Sequence, residues 1–320
     1  MPEKRPLYLA GGKLFFDPEL ARPVPESNPT YEVLAKVRVP AHLSSVVFLE
    51  QDLASAQEGL IFVGTDGKGR RQYFYGRRHV QRRTAVRNAV FVRVHRVMER
   101  INSFIDSNIA SGSEANAQMA AFLLMETSFF IRIGKARYER ESGTVGLLTL
   151  RNKHLSRGDG DAILVRFVGK DRVAHEFAVR DGQRLFAVLE KLWDPADPER
   201  LLFYRLGEKR VYAAMRRFGI RVKDLRTYGV NYTFLFNFWS NVRAMEPRPS
   251  AKALICASVR QTAEAVGHTP SISRSAYMAT SVLELVRDAG FLDRVAATDD
   301  FDAFLASVVD YVNNSEVVNG

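Results

Sequence analysis

Near the carboxyl end of this 320-residue chain, two predicted helices are joined by the stretch Ala265-Val266-Gly267-His268-Thr269-Pro270-Ser271-Ile272-Ser273-Arg274-Ser275-Ala276-Tyr277-Met278. Gly267 is placed to end the first helix in a left-handed conformation. Thr269-Pro270 and the serines after it are start signals for the next helix. The pattern predicts His268 on a tight corner, with Tyr277 one to two turns into the following helix. A single His or Tyr in such a place is most often structural, so the rest of the chain has to decide what this stretch does.

The sequence around this stretch is mostly helical. From Arg184 onward apolar residues recur at helical spacing, and the predicted helices are Leu185–Trp193, Val211–Phe218, Leu225–Val242, Ala251–Val266, Ser273–Asp288 and Phe301–Val312. Two further helices are predicted upstream, at Arg87–Ile109 and at Ser113–Ile131, and Gly134 ends the second. Between the two groups the pattern predicts three strands, Val145–Leu150, Ile163–Val168 and Val173–Val179, with the turn Gly169-Lys170-Asp171-Arg172 between the last two.

The first eighty residues are predicted to be rich in strands. Leu7–Ala10 and Lys13–Phe16 flank a two-glycine turn, Ser45–Glu50 is a further strand, and Leu60–Val63 with Arg71–Tyr75 predicts a hairpin with a long basic loop. The predicted fold class is therefore α+β. It consists of a small β-rich N-terminal domain, residues 1–80, and a larger, mostly α-helical domain, residues 81–320, which contains a small three-stranded sheet.

The net charge is concentrated in one segment. Lys and Arg number 46 and Asp and Glu 36, which gives a formal charge of +10. The segment Lys68–Arg100 holds eleven basic residues and the single acid Glu99, so its charge is also +10 and the remainder of the chain is neutral. Arginines flank the aromatic run Gln72-Tyr73-Phe74-Tyr75, and this combination favours a nucleic-acid surface over a merely solvated basic helix face.

Several function classes are disfavoured. The single cysteine, Cys256, excludes a disulfide framework and cysteine-cluster metal sites, fits a reducing compartment, and is expected to be a small buried core residue. No signal peptide or membrane-spanning run is visible, so the protein is expected to be soluble and intracellular, with no membrane partner. There is no P-loop and no dinucleotide fingerprint, and the six histidines show no metal-ligand spacing, so neither ATP nor a metal cofactor is expected.

Five blocks of sequence carry a resemblance to one family. Gly267-His268, followed nine residues later by Tyr277, is similar to the nucleophile segment of tyrosine recombinases and type IB topoisomerases. The other blocks, in order along the chain, are Phe62-Val63-Gly64 through Tyr73-Phe74-Tyr75-Gly76, Phe129-Phe130-Ile131-Arg132-Ile133-Gly134-Lys135, Phe167-Val168-Gly169-Lys170-Asp171 and Ile220-Arg221-Val222-Lys223-Asp224-Leu225-Arg226-Thr227-Tyr228-Gly229-Val230-Asn231-Tyr232. With these blocks in family order, the chain resembles the poxvirus-type IB DNA topoisomerases.

The resemblance implies a catalytic role for five residues. Tyr277 would be the nucleophile, which attacks a DNA phosphodiester and leaves a 3′-phosphotyrosyl bond with a free 5′-hydroxyl. Arg132 and Arg226 would hold the non-bridging phosphate oxygens. Lys170, otherwise an ordinary hairpin lysine, would protonate the departing 5′-oxygen. His268, otherwise a helix-end cap, would donate a hydrogen bond to a phosphate oxygen.

The same resemblance implies a set of DNA contacts outside the catalytic group: Gln72, Tyr73, Tyr75, Arg83, Lys135, Arg137, Tyr138 and Lys223. Two positions depart from the family pattern. Arg137 stands where lysine is expected, which changes the donor geometry, and Ser275 stands where a basic residue is common, which puts one phosphate contact in doubt. The implied partner is double-stranded DNA, clamped by a monomer that needs neither ATP nor a metal. The implied cleavage site is 5′-(C/T)CCTT, and the implied location is the virion core and the cytoplasm of the infected cell.

Two alternatives remain, one with the same cleavage chemistry and one from another class. A tyrosine recombinase shares the nucleophile and the arginines, but it usually carries His three residues before the second arginine, where this chain has Lys223, and it tends to have a helical N-terminal domain. A non-catalytic DNA-binding protein would use the His268–Tyr277 segment only for packing. Relaxation of supercoiled DNA would distinguish a topoisomerase from a tyrosine recombinase. A covalent protein–DNA adduct would distinguish either enzyme from a non-catalytic DNA-binding protein.

Overall fold

The computed structural model of this protein describes residues 4–67, 69–247 and 249–318. The chain divides into two compact units, Met1–Val86 and Arg87–Gly320. We refer to them as the first and the second unit.

The first unit is built on a five-stranded antiparallel sheet. Its strands are β1 (Pro6–Ala10), β2 (Lys13–Phe15), β3 (Ser44–Leu49), β4 (Leu60–Thr65) and β5 (Arg71–Tyr75), in the spatial order β2-β1-β3-β4-β5. Two short helices, α1 (Thr30–Lys36) and α2 (Leu53–Glu58), were not predicted. One face of the sheet is apolar, and the rings of Phe48, Phe62 and Phe74 stack across β3, β4 and β5. Alternation along the strands places this set in the core, as the period of two requires.

Of the next three helices, the first is longer and the second shorter than the sequence predicts, and the third was not predicted. They are α3 (Arg77–Ala110), α4 (Glu114–Phe129) and α5 (Ala136–Ser142). The prediction that α3 begins at Arg87 was wrong by ten residues, because the basic residues before it are good helix formers with no breaker among them. The prediction that Gly134 ends α4 was also wrong. Phe130 ends this helix in a left-handed conformation, with φ 51°, and no glycine marks the place.

A three-stranded antiparallel sheet lies in the second unit, in the order β6-β7-β8. Its strands are β6 (Leu155–Gly158), β7 (Ala162–Val168) and β8 (Ala174–Arg180). The predicted strand Val145–Leu150 was wrong. Within it, residues Leu147–Thr149 form a single 3₁₀ turn, since the side chain of Thr149 accepts a hydrogen bond from the backbone amide of Gly146 at 2.9 Å. The weakly patterned Leu155–Gly158 takes its place in the sheet, after a second 3₁₀ turn, Asn152–His154.

The remaining helices form most of the second unit's core. They are α6 (Arg184–Leu192), α7 (Glu208–Arg216), α8 (Val222–Ala244), α9 (Ala251–Ala265), α10 (Pro270–Ile272), α11 (Thr280–Leu285), α12 (Ala289–Ala297) and α13 (Phe301–Val318). The α8 helix is buried along most of its first half and along one face beyond it, and Phe234 and Phe238 are fully enclosed. A helix that is enclosed in this way can place side chains with little freedom to move.

The predicted continuous helix Ser273–Asp288 was wrong. The segment is instead the short α10, a turn of π-helix over Ser273–Tyr277, a break at Met278 and Ala279, and then α11. The prediction of an α+β fold, with a small β-rich N-terminal part and a small three-stranded sheet in a mostly helical remainder, is otherwise confirmed. Among the described residues, no helix is both long and apolar enough to cross a membrane.

Candidate active site

Arg132 lies in an extended segment just after α4. The backbone carbonyl of Arg132 accepts a hydrogen bond from the amide of Leu147 at 2.9 Å, and the carbonyl of Ile133 accepts one from Leu148 at 2.7 Å. Gly134 closes the segment with φ +70°, and a Cβ there would lie 2.7 Å from the Cα of Gly146. Only glycine fits both conditions, so the residue two places after Arg132 is fixed by a backbone-to-backbone contact.

Lys170 is exposed in the turn between β7 and β8. The amide of Gly169 donates to the carbonyl of Val173 at 2.8 Å, which closes the turn around Lys170. The amide of Val145 donates to the carbonyl of Val168 at 2.9 Å. Because residues 145–148 pair with both β7 and the Arg132 segment, the backbone hydrogen bonds tie the Lys170 turn and Arg132 to one frame.

Arg226 belongs to the second turn of α8 and is only 7% exposed. Its guanidinium donates Nε to the carbonyl of Phe130, Nη1 to the phenolic oxygen of Tyr277 at 3.3 Å, and Nη2 to Nε2 of His268 at 2.8 Å. Burial lowers the pKa of Arg226, and the neighbouring Tyr277 and Glu126 act against that lowering. Arginine stays cationic in proteins, so a buried positive charge lies directly beside the phenol.

His268 occupies the predicted corner. Gly267 has φ +64°, the amide of His268 donates to the carbonyl of Ala263 at 2.8 Å, and the side chain of Thr269 caps α10 by accepting from the amide of Ile272. The imidazole stacks on the ring of Tyr277 with 4.7 Å between the ring centroids. Burial, together with Arg226 and Arg132, lowers the pKa of His268 to about 4. The ring is therefore neutral at neutral pH.

The tautomer of His268 follows from its contacts. An arginine can only donate, so Nε2 accepts from Arg226 and the proton lies on Nδ1. That Nδ1 is buried and has no hydrogen-bond partner in the part of the chain that the structure describes. For Nε2 to donate to a phosphate, Arg226 has to leave it and the proton has to move to Nε2.

Tyr277 is the last residue of the π-helical turn and is 6% exposed. The prediction that Tyr277 lies one to two turns inside a regular helix was wrong. The amide of Met278 donates to the carbonyl of Ser273 at 3.1 Å, five residues back, and the wider turn rotates Tyr277 relative to an α-helix. The phenolic oxygen of Tyr277 accepts the hydrogen bond from Nη1 of Arg226, and its ring stacks on the imidazole of His268.

Asn231 fixes the backbone on both sides of this break. It is fully buried on α8, its Nδ2 donates to the carbonyl of Tyr277 at 3.0 Å, and its Oδ1 accepts from the amide of Ala279 at 2.8 Å. Asn231 lies in the sequence block around Arg226, but no role for it was predicted. The usable signal was a polar residue on the apolar face of α8, five places after Arg226.

Four of the five predicted catalytic residues line one cavity of about 90 Å³: Arg132, Lys170, Arg226 and His268. Tyr277 adjoins it through its contacts with Arg226 and His268. The cavity therefore brings two arginines and a lysine together beside a phenolic oxygen. Such an arrangement suits an oxyanion that reacts with the phenol, because the donors lie where negative charge would develop.

Two buried groups in this region were missed. His175, on β8, lines the same cavity, and burial, Arg226 and Arg132 lower its pKa. Glu126, on α4, is fully buried, and neither of its carboxylate oxygens has a hydrogen-bond partner among the described residues. Burial raises the pKa of Glu126 well above its usual range, against the lowering effect of Arg226. No motif distinguishes either residue, since a single His in a strand or a single Glu in a helix is ordinary.

The predicted DNA contacts fall in two places. In the first unit, Gln72, Tyr73 and Tyr75 lie on β5, Tyr73 is 52% exposed, and the guanidinium of Arg83 lies 5.8 Å from the ring centroid of Tyr75. Gln72 is engaged within the unit, because its side-chain nitrogen donates to the carboxylate of Asp66 at 3.0 Å.

The other predicted DNA contacts lie in the second unit. Arg137 and Tyr138 are exposed on α5, where the guanidinium of Arg137 lies 5.0 Å from the ring centroid of Tyr138. Lys135 pairs with Glu208 at 2.9 Å, and this hydrogen bond raises its pKa. Lys223 is exposed in the first turn of α8, one turn before Arg226.

Two further expectations concerned the burial of Cys256 and the absence of a metal site. Cys256 is exposed on α9, so the expectation of a buried core residue was wrong. Within the described ranges, no group of three or more His, Cys, Asp or Glu side chains is placed to hold a metal ion.

Comparisons with known proteins match both parts of the chain. Residues 7–64 match the family described as viral DNA topoisomerase I, N-terminal, and residues 85–289 match the family described as eukaryotic DNA topoisomerase I, catalytic core. The chain is 56% identical over 312 residues to DNA topoisomerase 1B of vaccinia virus (strain Copenhagen), which covers 97% of this chain and 99% of that protein. It is 55% identical over 312 residues to DNA topoisomerase I of monkeypox virus, with the same coverage of both chains, and 50% identical over 307 residues to DNA topoisomerase 1 of rabbit fibroma virus, which covers 96% of this chain and 98% of that protein.

A catalytic-core match over most of the second unit and identities of 50–56% over nearly the whole length show the family. The chain belongs to the poxvirus-type IB DNA topoisomerases. The predicted resemblance and the predicted enzyme class are confirmed.

Proposed function

We propose that this enzyme relaxes supercoiled DNA without ATP, by transient cleavage of one strand through a 3′-phosphotyrosyl intermediate, strand rotation and religation. The observation that carries the proposal is the position of Arg226. One buried guanidinium contacts both the phenolic oxygen of Tyr277 and the imidazole of His268, beside a cavity that Arg132 and Lys170 also line.

The cleavage step can be written with these residues. The phenolic oxygen of Tyr277 forms a bond to phosphorus as the bond between phosphorus and the 5′-oxygen breaks. The phenolic proton passes to solvent, and the ammonium of Lys170 gives a proton to the departing 5′-oxygen. Religation is the reverse step: the 5′-hydroxyl attacks phosphorus and returns its proton to Lys170, the bond between phosphorus and the phenolic oxygen breaks, and Tyr277 regains its proton from solvent. Since the ester conserves the bond energy, no ATP is required.

The arginines and His268 act on the phosphate oxygens. Charge builds on the two non-bridging oxygens in the transition state, and Arg132 and Arg226 supply fixed positive charge to them. Arg226 is nearly buried, so its interaction with a bound phosphate is screened little by water. When Arg226 turns to the phosphate, it releases Nε2 of His268, which can then carry the proton and donate to the same phosphate. Removal of one such donor typically costs on the order of 10²–10³ in rate.

The remaining parts of the proposal follow the family resemblance. Gln72, Tyr73 and Tyr75 would contact the major groove with Arg83 nearby, and a further set would contact DNA in the second unit, namely Lys135, Arg137, Tyr138 and Lys223. We propose that the enzyme clamps the duplex as a monomer, takes no metal or other cofactor, cleaves at 5′-(C/T)CCTT, and works in the virion core and the cytoplasm of the infected cell. We also propose that the boundary between the DNA-clamping N-terminal domain and the catalytic domain lies between residues 80 and 81.

Plasmid relaxation tests the proposed activity. Purified wild-type protein and the Tyr277→Phe variant are incubated with negatively supercoiled plasmid, without ATP and with a chelator. We expect relaxation by the wild type and none by the variant. Recombinant joints without relaxation would favour a tyrosine recombinase, and retarded but unrelaxed plasmid would favour a non-catalytic DNA-binding protein.

A further inference from the structure

His175 lies at the base of the Lys170 turn. It is on β8 directly opposite Phe167 of β7, and its imidazole stacks on the ring of Phe167 with 5.0 Å between the centroids. The ring of Phe177, two residues along the same strand face, is also stacked at 5.8 Å. Two stacked neighbours, whose own centroids are 6.4 Å apart, restrict rotation of the imidazole.

The edges of this imidazole press against two glycines on different chain segments. A Cβ built on Gly169 would lie 2.8 Å from Nε2 of His175, and a Cβ built on Gly267 would lie 2.7 Å from Nδ1. Real Cβ atoms do not approach other atoms so closely, so the ring fills the space between two backbones that have no side chain to offer. One ring is thus in contact with both segments.

Each of these glycines directly precedes a residue of the candidate site. Gly169 precedes Lys170, and Gly267 precedes His268. Lys170 is on an exposed turn, which without support would have the mobility usual for loop tips. The His175 ring contacts Gly169 of the hairpin and Gly267 of the His268 corner, so it helps to set the spacing between the two.

We propose that His175 is a positioning residue: its ring, wedged between Gly169 and Gly267, holds Lys170 at the distance from the His268 corner at which both reach one phosphate. This inference rests on the proposed function of the site. The contacts of the ring are steric and aromatic, so an uncharged planar ring is what the position requires. The lowered pKa of His175, which follows from burial and from Arg226 and Arg132, keeps the ring neutral at neutral pH and agrees with this role.

A sulfur-substituted substrate separates positioning of the general acid from other effects. A duplex with sulfur in place of the bridging 5′-oxygen releases a thiolate, which leaves without a proton, so it bypasses any defect in Lys170. We expect His175→Ala to slow single-turnover cleavage of the ordinary duplex on the order of 10²-fold, the typical cost of misplacing a catalytic group by about 1 Å. On the sulfur-substituted duplex the variant should cleave within about threefold of wild type, because general-acid catalysis is the contribution that this substrate removes.

His175→Phe is the matched control, because it keeps the planar ring and the stacking but not the nitrogens. We expect His175→Phe to cleave both substrates at nearly the wild-type rate. Equal slowing of His175→Ala on the two substrates would overturn the proposal, and so would a His175→Phe variant as slow as His175→Ala on the ordinary duplex.

A second variant keeps the proposal testable if His175→Ala folds poorly. Gly169 has φ −90° and ψ −167°, an extended conformation that alanine adopts without strain, so Gly169→Ala adds only the collision with the His175 ring. We expect Gly169→Ala to slow cleavage of the ordinary duplex in the wild-type background and to add no further slowing to His175→Ala. An equal additional effect in both backgrounds would refute the contact. Failure of the wild type itself to cleave either duplex would refute the proposed function instead.

Discussion

Neutralising Arg77, Arg78 and Arg82 together, each to glutamine, is expected to weaken binding to duplex DNA and to leave cleavage by bound enzyme nearly unchanged. These arginines lie in the segment that carries the net charge of the chain, whereas the candidate active site lies outside it. The structure adds a charge that the sequence did not connect to them. Nη1 of Arg78 lies 3.1 Å from one carboxylate oxygen of Glu58, and Arg82 pairs with the other oxygen.

The ion pair sets the charge that faces DNA, but not the size of the change. The hydrogen bonds from Arg82 and Arg78 lower the pKa of Glu58, so its carboxylate is ionised at neutral pH and the group carries a net charge of +2. Glu58 stays in the triple variant, so the substitutions remove three positive charges. Each phosphate charge that is neutralised contributes about 0.9 to the slope of log affinity against log salt, so the triple variant should lose about 2.7 of that slope. Between about 50 and 200 mM salt, the wild type should then lose about fortyfold more affinity than the triple variant.

Glu58→Gln is the matched control for this effect. It removes the carboxylate and leaves all three arginines, so it should raise affinity at low salt and steepen the slope by about 0.9. Binding is measured by fluorescence anisotropy over a salt series in the Tyr277→Phe background, which excludes covalent capture. Cleavage is measured separately, as a single turnover at saturating enzyme with Tyr277 intact. A large loss of bound-state cleavage at unchanged affinity would place these arginines in catalysis, and weaker binding by Glu58→Gln would show that Glu58 does not oppose their charge; either result would contradict the prediction.

Two further predictions concern buried groups beside the site. Glu126→Met, which keeps the side-chain length, should raise the free energy of unfolding at neutral pH by about 1–3 kcal/mol, since it removes two unpartnered buried oxygens. The pKa of Glu126 is raised in the folded state, so its contribution to stability is fully present below the unfolded pKa of 4.5 and is lost as the pH rises through the folded pKa. In urea denaturation, the free energy of unfolding should therefore fall with rising pH more in the wild type than in Glu126→Met. A variant less stable than wild type at pH 8 would mean that an ionised Glu126 holds Arg226. Asn231→Ala should cost about 1–3 kcal/mol of stability, because it leaves the carbonyl of Tyr277 and the amide of Ala279 unpaired. Single-turnover cleavage by this variant should slow more than its DNA binding weakens. Equal loss of binding and cleavage would refute a local effect on Tyr277.

The sequence predicted those elements whose turn or breaker residues are strong. The hairpin of β4 and β5 and the corner at Gly267 follow from glycines whose positions have few alternatives. The strand predicted at Val145–Leu150 failed for the opposite reason. A short apolar run does not distinguish a strand from a buried turn, and the hydrogen bond between Thr149 and Gly146 that decides it leaves no periodic signal.

The candidate site was predictable only as a set of residues. Motif order named Arg132, Lys170, Arg226, His268 and Tyr277, and the structure places them around one cavity, while their catalytic roles stay predictions. The supporting residues could not be read from the sequence, because Asn231 and His175 act through contacts between distant segments. The π-helical turn before Met278 was also invisible, since no glycine or proline marks it.

The covalent adduct tests the central claim most directly. Wild-type protein and Tyr277→Phe are incubated with a duplex containing 5′-CCCTT, labelled 5′ of the expected cleavage site on the scissile strand, without ATP and with a chelator, and the products are denatured and separated. We expect a labelled protein–DNA band from the wild type, in which peptide mapping locates the DNA 3′-phosphate on Tyr277, and no band from Tyr277→Phe. An adduct that persists in Tyr277→Phe, or one joined through a 5′-phosphate, would show that Tyr277 does not form a 3′-phosphotyrosyl bond.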